Sequence, residues 1–302
     1  MLLFEAFPRK SYLLLPVHRL TRLPDIAHAH LSLSLPHLEA VSTTPIMFRA
    51  IASLDAVVTK LSHSIDSSAL PAEEQARIRH TIESGILPFL KLQISPPGKS
   101  TVKPLSSLSP LLTEWVDASK SLTSALPAEQ LFPVIDLWRI GFLSATVGAW
   151  VSEECANTPG VTSSIIFEFL NKAELKPLPR SFVLTLSKCF SNALGALPLS
   201  RQLLAPGPLR EKLTDLAISQ LLEEDHQVRA TAASLVFNIA SCTQAQRTET
   251  GKNNSLPQIH TGADAEWEIE VVSAIIEGIR REESEEICKF SVGSKRHTVK
   301  ST

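Results

Sequence analysis

The sequence predicts an all-α chain, and three observations carry that prediction. Leu- and Ala-rich amphipathic runs dominate from Leu105 onward, while the 302 residues include only 11 glycines and 1 tyrosine, a poor match to a β-sandwich. Apolar residues make up 44% of the chain and charged residues 20%, the balance of a folded globular protein. Two helix endings also match 46 residues apart, Thr185–Ala193 and Thr231–Ile239, with Asn192 and Asn238 at the same place in each. A period of ~40–47 residues belongs to armadillo and HEAT arrays of two- or three-helix repeats. The expected fold class is therefore an armadillo/HEAT-like right-handed solenoid of helices. Such stacks offer a long concave surface to a partner rather than a catalytic pocket.

Taken in order, residues 1–47 hold Pro8, Pro16, Pro24, Pro36 and Pro45 without a clean period and are expected to be irregular. Helical signal starts at Ile46-Met47-Phe48 and runs through Leu54, Val57, Val58 and Leu61 to Ile65. Ser68 is the expected cap of a second helix, with Pro71 near its first turn and Glu73-Glu74 at the positive end of the dipole. Its apolar face carries Ile78, Ile82, Ile86 and Leu87 and continues through Phe89, Leu90 and Leu92, so 48–94 reads as a helical pair. Residues 95–105, rich in Pro, Gly and Ser, read as a linker.

Downstream, helices are predicted over 107–121, 127–143, 145–156, 163–172, 179–193, 198–204, 208–223, 226–242 and 264–282. Pro127 with Glu129, and Asp225 before Gln227-Val228, are start signals. The predicted solenoid spans 106–288, interrupted by a polar loop over 243–262, and 289–302 is expected to be a disordered tail.

Composition excludes several function classes. A formal net charge of −2 argues against a general nucleic-acid binder. The start, Met1-Leu2-Leu3-Phe4-Glu5, does not have the pattern of a secretory signal, and Tyr12–Val17 falls far below the ~20 residues of a membrane span. Cys155, Cys189, Cys242 and Cys288 are widely spaced in apolar contexts and read as small buried hydrophobes of a reducing compartment. A cytoplasmic or nuclear monomer is expected, with no membrane, metal or cofactor.

Enzymatic readings are weak. No Cys-x-x-Cys, phosphate-binding loop or Gly-x-Ser-x-Gly elbow is present. A thiol peptidase needs a cysteine activated by histidine. Glu154 beside Cys155 and Glu286 near Cys288 would instead raise a thiol pKa. The histidines cluster at His18, His28, His30 and His37, and His28-x-His30 lacks the further ligands of a metal site. No catalytic residue is assigned.

Charge is uneven. Lys172, Lys176, Arg180, Lys188, Arg201, Arg210 and Lys212 face only Glu174 and Glu211 in the stretch from Lys172 to Lys212. The stretch Asp264–Glu286 is strongly acidic. These are either solvated helix faces or, for the basic stretch, the lining of a groove for an acidic extended peptide.

Several segments resemble one family. Leu131-Phe132-Pro133-Val134-Ile135-Asp136-Leu137-Trp138-Arg139 is similar to the stretch that opens the PUL domain. Leu186–Asn192 resembles its central helix, Asp225–Ala240 its most recognisable run, and Trp267–Glu286 its following helix and acidic turn. The resemblance covers residues 104–288 and departs from Lys289 onward, where the family continues into further helices. Loss of a last repeat would leave an apolar face uncovered.

PUL domains are armadillo-like and occur in phospholipase A2-activating protein. The resemblance therefore implies an adaptor binding the acidic carboxy-terminal peptide of a hexameric AAA ATPase, the segregase valosin-containing protein, in ubiquitin-dependent protein degradation. Leu3–Lys60 also resembles the region between thioredoxin and PUL in fungal fusions with a PPPDE-type desumoylating peptidase. The alternative is thus a targeting fragment of such a thiol peptidase.

Within an armadillo-like groove, asparagine suits a peptide clamp, because its carbonyl accepts from a peptide N–H while its NH2 donates to a C=O. Asn192 and Asn238 would line the concave side, with Arg139, 53 residues before Asn192, in a comparable place. Its planar guanidinium suits a carboxylate. Arg180, Lys188 and Arg229 would add longer-range attraction. The asparagines would otherwise satisfy neighbouring carbonyls inside the fold, and Arg139 would pair with Asp136 or stack on Trp138 or Trp150.

Overall fold

The computed structural model describes residues 44–51, 53–94, 105–157, 164–174 and 177–252, together with 262–281, and every described element is helical. The first, α1 (Leu54–Asp66), is started by Ser53, whose hydroxyl accepts from the Ala56 amide at 3.2 Å. Its buried face, Leu54, Val58, Leu61 and Ile65, follows the 3–4 spacing. Ile46-Met47-Phe48, expected as the beginning of this helix, is extended instead. Ser53 and Asp55 set the helix start, and the main-chain groups of Ile46 and Phe48 bond Asn238 and Asn192 instead of a helical turn.

Ser68 does not cap the next helix. Its hydroxyl donates to the Ile65 carbonyl, and α2 (Ala72–His80) begins directly after Pro71. A π-helical turn, Thr81–Ile86, joins α2 to α3 (Leu87–Gln93). Pro88 has no amide to offer the Ser84 carbonyl, and the backbone widens so that Leu87 N–H bonds Ile82 O.

The remaining helices are α4 (Leu105–Ala125), α5 (Ala128–Gly141), α6 (Ala145–Asn157), α7 (Ile165–Ala173), α8 (Arg180–Ala193), α9 (Leu197–Leu204), α10 (Pro208–Leu221), α11 (His226–Lys252) and α12 (Gly262–Arg281). Eight of these nine follow the predicted ranges closely. Helix α11 runs ten residues into the predicted loop, because Gln244, Gln246, Arg247 and Glu249 are polar but, like Ala245 among them, good helix formers. The linker residues 95–104, the tail from 289 and all of residues 1–43 lie outside the described residues, as do Cys288 and the four clustered histidines.

Helix α5 lies against α8, and α8 against α11, forming one row; α4, α7 and α10 form a second, and α6 and α9 pack together. One apolar cluster runs from Leu54 to Val271, so α1–α3 share the core of the later helices. Trp115 and Trp138 stack at its centre, 4.0 Å between centroids, with the Trp138 indole N–H donating to Ser119. Gly141 permits this stack, since a Cβ there would sit 2.6 Å from the Trp115 ring.

The α5–α6 and α8–α9 corners turn by 110° and 115° and use the same bonds. Phe142, Leu143 and Ser144 donate to Trp138, Ile140 and Gly141, and Leu194, Gly195 and Ala196 donate to Phe190, Asn192 and Ala193. This fixes the register between rungs: Ile140 is the counterpart of Asn192, and Arg139 that of Ser191.

Helix α12 docks on α10 through half-buried Trp267, which donates to Thr214 and lies 4.9 Å from the Arg210 guanidinium. Its other face leaves Ile269, Val272 and Ile276 exposed. Among the described residues, no single helix is long and apolar enough to cross a membrane.

Candidate functional site

The side chains of Asn192 and Asn238 are fully buried, and both hold the same extended segment. Their helices, α8 and α11, are neighbours in one row, and each asparagine falls near the end of its buried face. Asn192 Oδ1 accepts from Phe48 N–H at 2.7 Å, while its amide nitrogen donates to Phe48 O at 3.1 Å. Asn238 repeats this on Ile46, at 2.7 and 2.9 Å. In an extended chain the N–H and C=O of one residue point to one side and those of the next to the other. Alternate residues, 46 and 48, therefore face the two amides.

Each asparagine also makes a third bond. Asn192 donates its other N–H to Arg139 O at 2.8 Å, and Asn238 donates to Ser191 O at 3.0 Å. These acceptors are the counterparts defined by the corner bonds, so the clamp is one repeated motif. Both expected roles of the asparagines, binding an extended backbone and satisfying a neighbouring carbonyl, are carried out by the same side chain.

The two-rung ladder stops there for a physical reason. Ile140, not an asparagine, occupies the equivalent position on α5. Arg139 is one residue out of phase with the asparagines, a correction to the place expected for it. Its length still brings Nη1 to Phe48 O at 2.6 Å, while Nε donates to Asp136 at 2.6 Å. The guanidinium is buried, with neither aromatic stacking partner.

Lys188 sits four residues before Asn192, one helical turn away on the same face. Its ammonium lies 5.8 Å from the centre of the Phe48 ring. Burial, and then the nearby Arg139 charge, push the Lys188 pKa below its ordinary value. Beside Phe48 stand two cations, Arg139 on its carbonyl and Lys188 at its ring, with Asp136 paired to Arg139.

Arg180 and Arg229 do not join this groove. Arg180 lies 12 residues before Asn192, which at 1.5 Å per residue is roughly 18 Å along α8. It pairs instead with Asp225, Nε to Oδ2 at 2.6 Å, at the edge of a second cleft of about 590 Å³ lined by Leu178, Val183, Leu216 and Val228. Arg229 is spent on the carbonyls of Glu223 and Glu224 beyond the end of α10, at 3.0 and 2.6 Å. Asp225 caps α11 through the amides of Gln227 and Val228. The Arg180 guanidinium and these amides hold its pKa down to about 2.

The groove holds residues that sequence reasoning did not assign. Pro45, Ile46, Met47 and Phe48 are half-buried in it, flanked by exposed Thr44 and Arg49. Met47 covers Gly195 at the α8–α9 corner, where a Cβ would lie 2.6 Å from its sulfur. The available signal was Ser53 as a cap, which separates 46–48 from the helix they were expected to start.

The thiols offer no catalytic alternative among the described residues. Cys155, Cys189 and Cys242 are buried and their pKa values are raised by burial, that of Cys155 to about 11. No cluster of His, Cys, Asp and Glu suited to a metal occurs among the described residues.

A search of the curated proteins found no match. The model of one protein family, the PUL domain, matches residues 42–292. Its match begins well before the residue-104 limit of the sequence resemblance and so takes in the extended segment and α1–α3.

Proposed function

The chain belongs to the PUL domain family, a family of protein-interaction domains, and we propose that it is a non-catalytic adaptor whose three helical rows form an armadillo-like right-handed solenoid with a peptide-binding groove. Its proposed ligand is the acidic carboxy-terminal peptide of a hexameric AAA segregase, in ubiquitin-dependent protein turnover inside the cell. The observation that carries this reading is the pair of asparagines, which clamp an extended backbone through both its N–H and its C=O groups. This contact uses the main chain, so it fits any extended segment, and flanking charge then selects among them. The positive surplus of Arg139 and Lys188 over Asp136 favours an acidic one. The buried thiols, held protonated, suit a binding domain rather than a thiol peptidase.

The test is retention of the intact segregase hexamer by the immobilised chain, with and without the segregase tail. Retention that depends on the tail is expected, weakened by at least about tenfold in Lys188→Glu if one charge-assisted contact of about 1.5–3 kcal/mol is lost. Equal retention of the tailless hexamer would refute the proposal. Lys188 suits this test better than Arg139, whose buried pair with Asp136 makes its replacement a test of folding.

A further inference from the structure

We propose that residues Pro45–Phe48 are a ligand supplied in cis, and that the groove alternates between this segment and an extended peptide in trans that takes the same register. This rests on the groove being a peptide site, not on which protein supplies the peptide.

The argument begins with what stays behind when the segment leaves. Asn192 and Asn238 each keep one N–H on a carbonyl of the preceding helix, Arg139 O and Ser191 O. Arg139 keeps its bond to Asp136. The clamp therefore remains aimed into the groove without its occupant. A pre-organised receptor binds more tightly because little ordering is left to do on association.

The segment itself has the opposite character. Its four central residues are only half-buried, exposed Thr44 and Arg49 bound them, and only Ile46 and Phe48 give main-chain bonds to the amides. The anchored helix begins later, at Leu54, which is buried with Val58, Leu61 and Ile65. Ile51 also packs against the core, so exposed Arg49 and Ala50 are the link through which the segment can leave while α1 stays packed.

The register defines the partner in trans. Its chain runs from α11 toward α5, as Ile46 lies on Asn238 and Phe48 on Asn192. It places an apolar side chain at the first clamp, and an aromatic ring beside Lys188 at the second. Between them lies a side chain that covers Gly195 as Met47 does, in the room left by the missing Cβ.

The test uses the full chain and a fluorescent synthetic peptide copying residues 42–51, followed by anisotropy. Phe48→Ala and Met47→Ser weaken the cis segment and leave every groove residue in place. If Phe48→Ala unfolds, Met47→Ser, which replaces a half-buried side chain, carries the test. Since the apparent affinity is reduced by the fraction of grooves already filled, both variants should bind the peptide about tenfold tighter than the unaltered chain. A control peptide with proline at both clamped positions, lacking the two N–H donors, should not bind. Equal affinity of the variants and the unaltered chain, or equal binding of both peptides, would overturn the proposal. Displacement of the probe by the segregase's acidic tail peptide would support the two readings together. Probe binding that the tail peptide cannot displace would leave the cis ligand standing and remove the tail as partner.

Discussion

Replacing Asn192 with alanine tests the clamp most cleanly, because three hydrogen bonds end on one side chain. The lost bonds join Phe48 N–H, Phe48 O and Arg139 O, at 2.7, 3.1 and 2.8 Å. At about 0.5–1.5 kcal/mol net each, they sum to about 1.5–4.5 kcal/mol. Phe48 O keeps its bond from Arg139, which lowers the loss, and alanine favours the helix by about 0.5 kcal/mol. The expected destabilisation is therefore about 2–3 kcal/mol.

In a folded body of this size that lowers Tm by about 5–10 °C. Urea unfolding followed by circular dichroism measures it, with an unchanged m value confirming that only stability has moved. Asn238→Ala, which removes the same three kinds of bond, should match it. A coupling test separates the clamp from generic helix damage. In a Phe48→Pro background, where the N–H donor is already gone, Asn192→Ala should cost at least about 1 kcal/mol less. A loss below about 0.5 kcal/mol for both asparagines, or an equal cost in both backgrounds, would refute the reasoning.

Three further outcomes follow from the geometry. Gly195→Ala forces Met47 off the corner, so it should lower Tm, and adding Met47→Ala should restore most of the loss; a larger loss in the double variant would contradict the contact. The folded-state pKa of Asp225 lies below its unfolded value, so its contribution to stability is present at neutral pH and fades as pH falls from about 4 toward 2. The Tm gap between the unaltered chain and Asp225→Asn should accordingly close over that range and stay constant above pH 5, whereas a gap opening at acid pH would reverse the assignment. Cys155, Cys189 and Cys242 should resist a thiol reagent at pH 8 and react on unfolding, as mapped by mass spectrometry. Rapid labelling of any of the three in the folded chain would show a thiolate where burial predicts a thiol.

Much of the helix order was legible because apolar residues recur at 3–4 spacing, as in Ile78, Ile82 and Ile86. The ten-residue extension of α11 was not, since polar residues carry no apolar period even where their helix propensity is high. The shared phase of Asn192 and Asn238 was legible from a 46-residue repeat. Their occupant was not, because Phe48 and Ile46 lie 144 and 192 residues away along the chain. Local pattern cannot encode a contact at that separation. Arg180 and Arg229 were grouped with the clamp because they share its helices, yet several helical turns separate them from it. Lys188, one turn from Asn192, shows the distance over which such grouping holds.

Amide hydrogen exchange by NMR at residues 46–49 tests the central claim most directly. Ile46 and Phe48 donate to the asparagines, whereas Met47 and Arg49 point the other way. The clamp predicts alternating slow and fast exchange along these four amides, with the slow pair released by Asn192→Ala and Asn238→Ala. Uniformly fast exchange at all four in the unaltered chain would contradict it.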